Sequence, residues 1–132
     1  MTVRQSIAAA RIGEPRQNAE GTTVLEFKFG AEDPTFAGHF PGRPILPGVF
    51  QLELTRVAAE LVLKRSLSVQ EIRKAKFQRP ILPEETMRLE LKISTNGSAI
   101  QARADFSVDG QPAGETVLLL WRSKYTNGLS GS

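Results

Sequence analysis

The chain has one histidine, His39, held in the segment Gly38-His39-Phe40-Pro41-Gly42-Arg43-Pro44-Ile45-Leu46-Pro47-Gly48-Val49. Glu53 follows fourteen residues after it, inside a stretch with helical spacing. An imidazole titrates near neutrality and can move a proton at ordinary pH, and a carboxyl is the other common group for that work. Three prolines and three glycines around His39 give the segment one intended shape, since proline fixes φ and glycine permits backbone closed to other residues. Pro47 sits near a helix start, where its missing N–H costs nothing. The first free N–H after it belongs to Gly48, pointing outward with the positive end of the helix dipole. Plainer explanations stand beside each residue. A lone loop histidine is usually a packing or surface residue, and Gly48 could simply close-pack a helix start. Glu53, Arg56, Glu60 and Lys64 fall at i, i+3, i+7 and i+11, the stripe of an ion-paired helical face. On pattern alone that last explanation wins.

The elements that must position these groups read out in order. Thr23, Leu25, Phe27 and Phe29 alternate with Val24, Glu26 and Lys28, which predicts a half-buried strand. An earlier strand is expected around Val3 to Ile12, although alanine has little β preference. Residues 30 to 46 read as loop. A helix is predicted from Pro47-Gly48 to about Arg65, apolar around most of its circumference (Val49, Phe50, Leu52, Leu54, Val57, Ala58, Leu61, Val62, Leu63), so other structure should wrap it. Strands follow at Val69–Gln78, Met87–Ser94, Ile100–Val108 and Ala113–Trp121, with hairpin turns at Asn96-Gly97 and Asp109-Gly110. The fold class is α+β: a curved antiparallel sheet around one central, mostly apolar helix, which fits a hot-dog fold. One domain over residues 1–125 and a flexible tail over 126–132 are expected.

With 132 residues, 40% apolar and 23% charged, the chain has the composition of an ordinary globular domain. It has no cysteine, so disulfides, thiolate metal sites and cysteine nucleophiles are excluded; with one histidine, no metal site is expected. No apolar run approaches the ~18 residues of a membrane span, and the N-terminus lacks a signal-peptide core, so a cytoplasmic protein is expected. The net charge of +3 is concentrated between residues 64 and 79, where Lys64, Arg65, Arg73, Lys74, Lys76 and Arg79 face only Glu71. That cluster suits an acidic partner or a solvated surface. Nine aromatics, most of them Phe in apolar settings, and no binding module argue against nucleic acid.

Gly38-His39-Phe40-Pro41-Gly42, then Pro44, Pro47-Gly48-Val49 and Glu53, resembles the active-site signature of the β-hydroxyacyl-[acyl carrier protein] dehydratases of the FabA/FabZ type. Pro34-Thr35-Phe36 before it, Lys76-Phe77-Gln78-Arg79-Pro80-Ile81-Leu82-Pro83 after the helix and Val108-Asp109-Gly110-Gln111 extend the similarity to roughly residues 20–122. The first 20 residues depart from the family, and Val57 stands where the family commonly has glutamine, with Arg56 one position earlier. The resemblance implies the hot-dog fold, with His39 as catalytic base, Glu53 as its carboxylate partner and Gly48 as N–H donor to the thioester carbonyl. Phe36, Phe40, Pro47, Val49 and Phe50 would line the substrate channel, and Arg43, Lys74, Lys76 and Arg79 would meet the carrier protein. It also implies a homodimer whose sites are shared, so that Glu53 faces His39 of the neighbouring chain; assembly beyond a dimer is left open. No cofactor is implied, the substrate being a 3-hydroxyacyl thioester on the phosphopantetheine of acyl carrier protein.

Dehydration takes a proton from C2 and expels hydroxide from C3. Neutral imidazole suits the first step, and a protonated carboxyl, or a water it holds, suits the second. Burial against an apolar channel would favour a protonated Glu53. Helix-start N–H groups suit the charge that moves to the thioester oxygen. The leading expectation is therefore a dehydratase of fatty-acid or specialised acyl-chain synthesis. A thioesterase in which Glu53 activates water, and a non-catalytic subunit that binds acyl chains or carrier protein, are the alternatives. A hydratase pair of Asp33 and His39 fails on spacing.

Overall fold

The computed structural model describes residues 3–33, 46 and 48–123. Its elements are α1 (Val3–Ala10), β1 (Arg11–Gln17), β2 (Thr23–Lys28), α2 (Gly48–Leu63), β3 (Leu67–Phe77), β4 (Thr86–Asn96), β5 (Ala99–Val108) and β6 (Gln111–Arg122). All the strands join one sheet in the order β1-β2-β4-β5-β6-β3, and every pairing is antiparallel. β3 leaves α2 and crosses to the edge opposite β1. Lys74, Lys76 and Arg79, expected to meet a carrier, therefore belong to or just follow an outer edge of the sheet.

Alternation decides which face is covered. Leu25, Leu89, Phe106, Gly114 and Phe77 form one row across five strands, and Thr23, Leu91, Ala104, Thr116 and Ala75 the next. Side chains two apart on a strand share a face, so these rows build the inner surface of the sheet. α2 packs on it through Phe50, Leu54, Val57, Ala58 and Ala59, all buried. Ala102 and Ala104 of β5 are fully buried there, and their small side chains let the helix approach closely. Thr55 donates its hydroxyl hydrogen to Gln51 O at 2.9 Å, which leaves Thr116 to donate across the interface to Thr55 Oγ1 at 2.6 Å. The curved sheet around one central helix thus stands as expected. Among the described residues no helix is long and apolar enough to cross a membrane.

Four expectations are corrected. The strand expected over Val3 to Ile12 is a helix through Ala10, because Ser6, Ile7 and Ala10 bury one helical side. Only from Arg11 does the chain become a strand. There Gly13 (φ +70°) and Pro15 accompany a register shift between Ile12 and Arg16, which an edge strand tolerates. The first hairpin is centred on Gly97-Ser98, one residue later than predicted, because Asn96 still pairs with Ala99 and Gly97 takes the positive φ. The second turn falls on Asp109-Gly110 as predicted, with both residues at positive φ as a two-residue hairpin loop prefers. α2 ends at Leu63 rather than Arg65; Lys64, at φ 56°, closes it in the left-handed region and leaves the polar stripe. Finally, α2 is not wrapped all round within one chain, since Val49 and Leu61 remain exposed. The tail over 126–132 lies outside the described residues.

Candidate functional site

α2 begins at Gly48, as Pro47-Gly48 foretold. A side-chain carbon placed on Gly48 would lie 2.6 Å from the Phe77 ring, so glycine here answers a close approach from β3. The plainer reading of Gly48, a tightly packed helix start, is therefore realised. It coexists with an N–H that the helix itself does not use, because the first N–H groups of a helix have no partner within it. Val49 beside it is 71% exposed, whereas Phe50 turns into the core and meets the Phe29 ring edge-on at 5.4 Å between centroids.

Glu53 stands five residues further along, about 7.5 Å up the helix axis at 1.5 Å per residue. Both of its carboxyl oxygens accept from Arg56, Oε2 from Nε at 3.2 Å and Oε1 from Nη2. Arg56 Nη1 also donates to Glu60 Oε2 at 2.9 Å and to the Leu67 carbonyl at 3.2 Å. Glu60 is buried and accepts further from Arg4 Nη1 of α1 at 2.9 Å and from the Leu67 N–H at 2.8 Å. One carboxylate thereby joins α1, α2 and the start of β3. The Arg56 guanidinium is held above its ordinary value, chiefly by its hydrogen bond to Glu53 and against the opposing effect of burial. The ion-paired face expected as the plain reading of Glu53 is present, yet Glu53 itself keeps 34% of its side chain exposed.

His39, Phe36, Phe40, Arg43 and Pro47 lie outside the described residues. The chain on either side of them is anchored by a single segment. On the near side the Glu84 N–H donates to Phe29 O at 2.8 Å, and Ala31 N–H donates to Glu84 Oε1 at 3.1 Å. On the far side Leu46 N–H donates to Ile81 O at 2.7 Å, with both side chains buried. That segment is braced in turn, Arg79 gripping Glu85 through two bonds of 3.1 and 3.0 Å and Glu85 Oε1 accepting from Leu82 N–H. Glu84 adopts φ 68°, a left-handed conformation that a residue other than glycine keeps only where its surroundings impose it. Residues 76–83, singled out in the sequence as a family segment, thus include Ile81, which holds Leu46, and Arg79, which holds Glu85.

The basic residues of β3 are partly engaged. Lys74 Nζ lies 2.5 Å from Glu115 Oε1, and Arg103 takes the other oxygen. These cations, Lys74 foremost, hold the Glu115 carboxyl below the usual carboxylate range. Arg79 is committed to Glu85. Lys76 shares a register position with Glu115 at the same edge. β3 also leaves Val69, Ile72 and Phe77 exposed, in register with Leu120, Leu118 and Gly114 of the inner face.

Sequence reasoning passed over Gln51. It is 2% exposed, and among the described residues its Oε1 has no hydrogen-bond partner. A side-chain carbon on Gly114 would meet that oxygen at 2.6 Å and the Lys76 carbonyl at 2.9 Å, so the Gln51 amide fills the space Gly114 leaves. A polar residue two positions before Glu53, one turn from Thr55 on a helix mostly apolar toward the sheet, was the available signal.

A curved antiparallel sheet on one helix defines a hot-dog protein. The chain belongs to the ApeI-like family, described as ApeI dehydratase, whose model matches residues 15–116. It is 33% identical over 118 residues to a 3-hydroxyacyl-[acyl-carrier-protein] dehydratase FabZ of Haemophilus influenzae, covering 75% of this chain and 80% of the relative. A FabZ of Anaeromyxobacter dehalogenans is 33% identical over 94 residues, 63% of this chain; the match spans only 60% of that relative's length. Among solved structures, the dehydratase heterocomplex ApeI:P from Xenorhabdus doucetiae superposes with a TM-score of 0.71 at 28% identity, covering 85% of this chain and 96% of that one.

Proposed function

We propose that this chain dehydrates 3-hydroxyacyl thioesters carried on acyl carrier protein to trans-2-enoyl thioesters. The observation that carries the reading is the placement of Glu53, partly exposed and about one and a half turns from the free N–H of Gly48 on the same helix, in a chain of the dehydratase family. In this reading His39 removes the proton from C2, and the charge that moves to the thioester oxygen is met by the Gly48 and Val49 N–H groups. The C3–O bond breaks, and the leaving hydroxyl departs as water with a proton from a water that Glu53 holds, while the proton His39 took from C2 restores that water, so that one water is lost overall. Both Glu53 oxygens already accept bonds from Arg56, which favours delivery of that proton through a water that Glu53 holds. No cofactor takes part.

The β3 edge supports a homodimer. Eleven residues of strand carry three exposed apolar side chains in line with the inner face, an arrangement that a second copy would cover. Glu53 would then face His39 of the neighbouring chain. The solved relative is a heterocomplex, so a sister chain is the competing occupant of that edge. A cytoplasmic location and a role in fatty-acid or specialised acyl-chain synthesis fit this reading.

The test is the growth of enoyl absorbance when purified protein meets a 3-hydroxyacyl thioester on carrier protein. His39→Ala and Glu53→Gln should each slow it by about 100-fold or more. Release of free thiol instead would select the thioesterase reading. Carrier binding with no turnover, alone or with a sister chain, would select the binding subunit.

A further inference from the structure

We propose that Arg56 is a positioning residue for this reaction, fixing the Glu53 carboxylate through a fork that Glu60 and the Leu67 carbonyl hold in place. This rests on the dehydratase reading above. Four of the guanidinium's N–H donors are spent on anchoring and aim together: Nη1 binds Glu60 and the Leu67 carbonyl, while Nε and Nη2 each reach one oxygen of Glu53. Glu60 cannot swing away, because Arg4 and the Leu67 N–H hold it as well. The fork is planar and rigid, so anchoring one edge sets the direction of the other. Arg56 is 16% exposed and Glu53 34%, so the clamp is mostly covered and the carboxylate it holds still reaches solvent. In a solvated surface pair both partners would be mobile, and neither would bond to backbone. Misplacing a reacting group by about 1 Å can cost on the order of 100-fold in rate.

The test uses the intact chain with Arg56→Gln and Arg56→Lys, each checked for folded content and assembly. Arg56→Gln should lower kcat by ten- to a hundredfold with KM within about twofold. Lysine, which can reach either Glu53 or Glu60 but cannot form the fork, should recover only part of the loss. An Arg56→Gln chain with full kcat per folded molecule, or one altered only in KM, overturns the proposal. A second measurement is independent of turnover. In side-chain NMR of arginine-labelled protein, the Arg56 Nε–H should exchange with water at least tenfold more slowly than that of an exposed arginine, and Glu53→Gln should release it. Free exchange in the unaltered chain means there is no clamp, and the proposal falls. If the exchange is slow yet the unaltered chain forms no enoyl product, the dehydratase reading fails, and the positioning role fails with it while the clamp stands.

Discussion

Arg56 and Glu60 lie one helical turn apart on α2, joined Nη1 to Oε2 at 2.9 Å, and Glu60 is the point where three elements meet. Its side chain is 7% exposed, so removing it leaves the Leu67 N–H without its acceptor and the Arg56 guanidinium with only Glu53 and the Leu67 carbonyl. Leaving a buried donor unsatisfied costs about 1–3 kcal/mol. For a domain of this size that corresponds to a fall of roughly 5–10 °C in melting temperature. Glu60→Ala should show that fall by calorimetry. Glu60→Gln, which keeps an acceptor for Leu67, should lose distinctly less.

Two glycines make opposite predictions. At Gly114 an added methyl meets the Lys76 carbonyl at 2.9 Å as well as Gln51, and backbone cannot step aside. Gly114→Ala should therefore destabilise by about 1–3 kcal/mol in urea unfolding, and Gln51→Ala in the same chain should recover only part of it. At Gly48 the obstacle is the Phe77 ring, 47% exposed and able to turn, so Gly48→Ala should cost under about 1 kcal/mol. Equal costs at the two sites would contradict the geometry.

Acid should weaken the brace of the histidine segment. The Arg79 hydrogen bond, helped by the Leu82 N–H, holds the Glu85 carboxyl below its ordinary value of 4.5. A depressed carboxylate contributes fully above that ordinary value, and its contribution is lost as pH falls through the lower folded-state value. The difference in melting temperature between the unaltered chain and Glu85→Gln should thus be full near pH 7 and close on acidification below about 4.5. A gap that stays constant down to pH 3 would mean that the pair contributes nothing through charge.

Ile72 is 52% exposed in the middle of β3. If a second copy pairs along this edge, Ile72→Arg places charge in an apolar contact. The variant should sediment as a monomer where the unaltered chain sediments as a dimer, with an unchanged circular dichroism spectrum. An unaltered chain that sediments as a monomer by itself points instead to a sister subunit.

Much of the fold was legible because its signals are local. The alternation of Met87–Ile93 and Ile100–Val108, the Asp109-Gly110 turn and the start of α2 depend on neighbours a few residues apart, and each stands near its expected place. The first helix was misread because its apolar content is mostly alanine and, among its described side chains, only Ser6, Ile7 and Ala10 are buried. Too few large residues were present to reveal a period.

From its amino acids alone this chain settled the order of its elements from β2 to β6 along the sequence, and the motif that marks its family. It also contained the Glu53–Arg56 pair, because residues three apart on a helix must meet. Tertiary structure decided what those residues do to one another. Glu60 reaches Arg4, fifty-six residues away in sequence, and Gly114 gives its space to Gln51. The segment from Ile81 to Glu85 anchors the chain on both sides of the histidine segment. Such contacts join parts of the chain that local spacing cannot relate, and they arise only when the sheet closes on its helix and brings the distant partners within hydrogen-bonding reach.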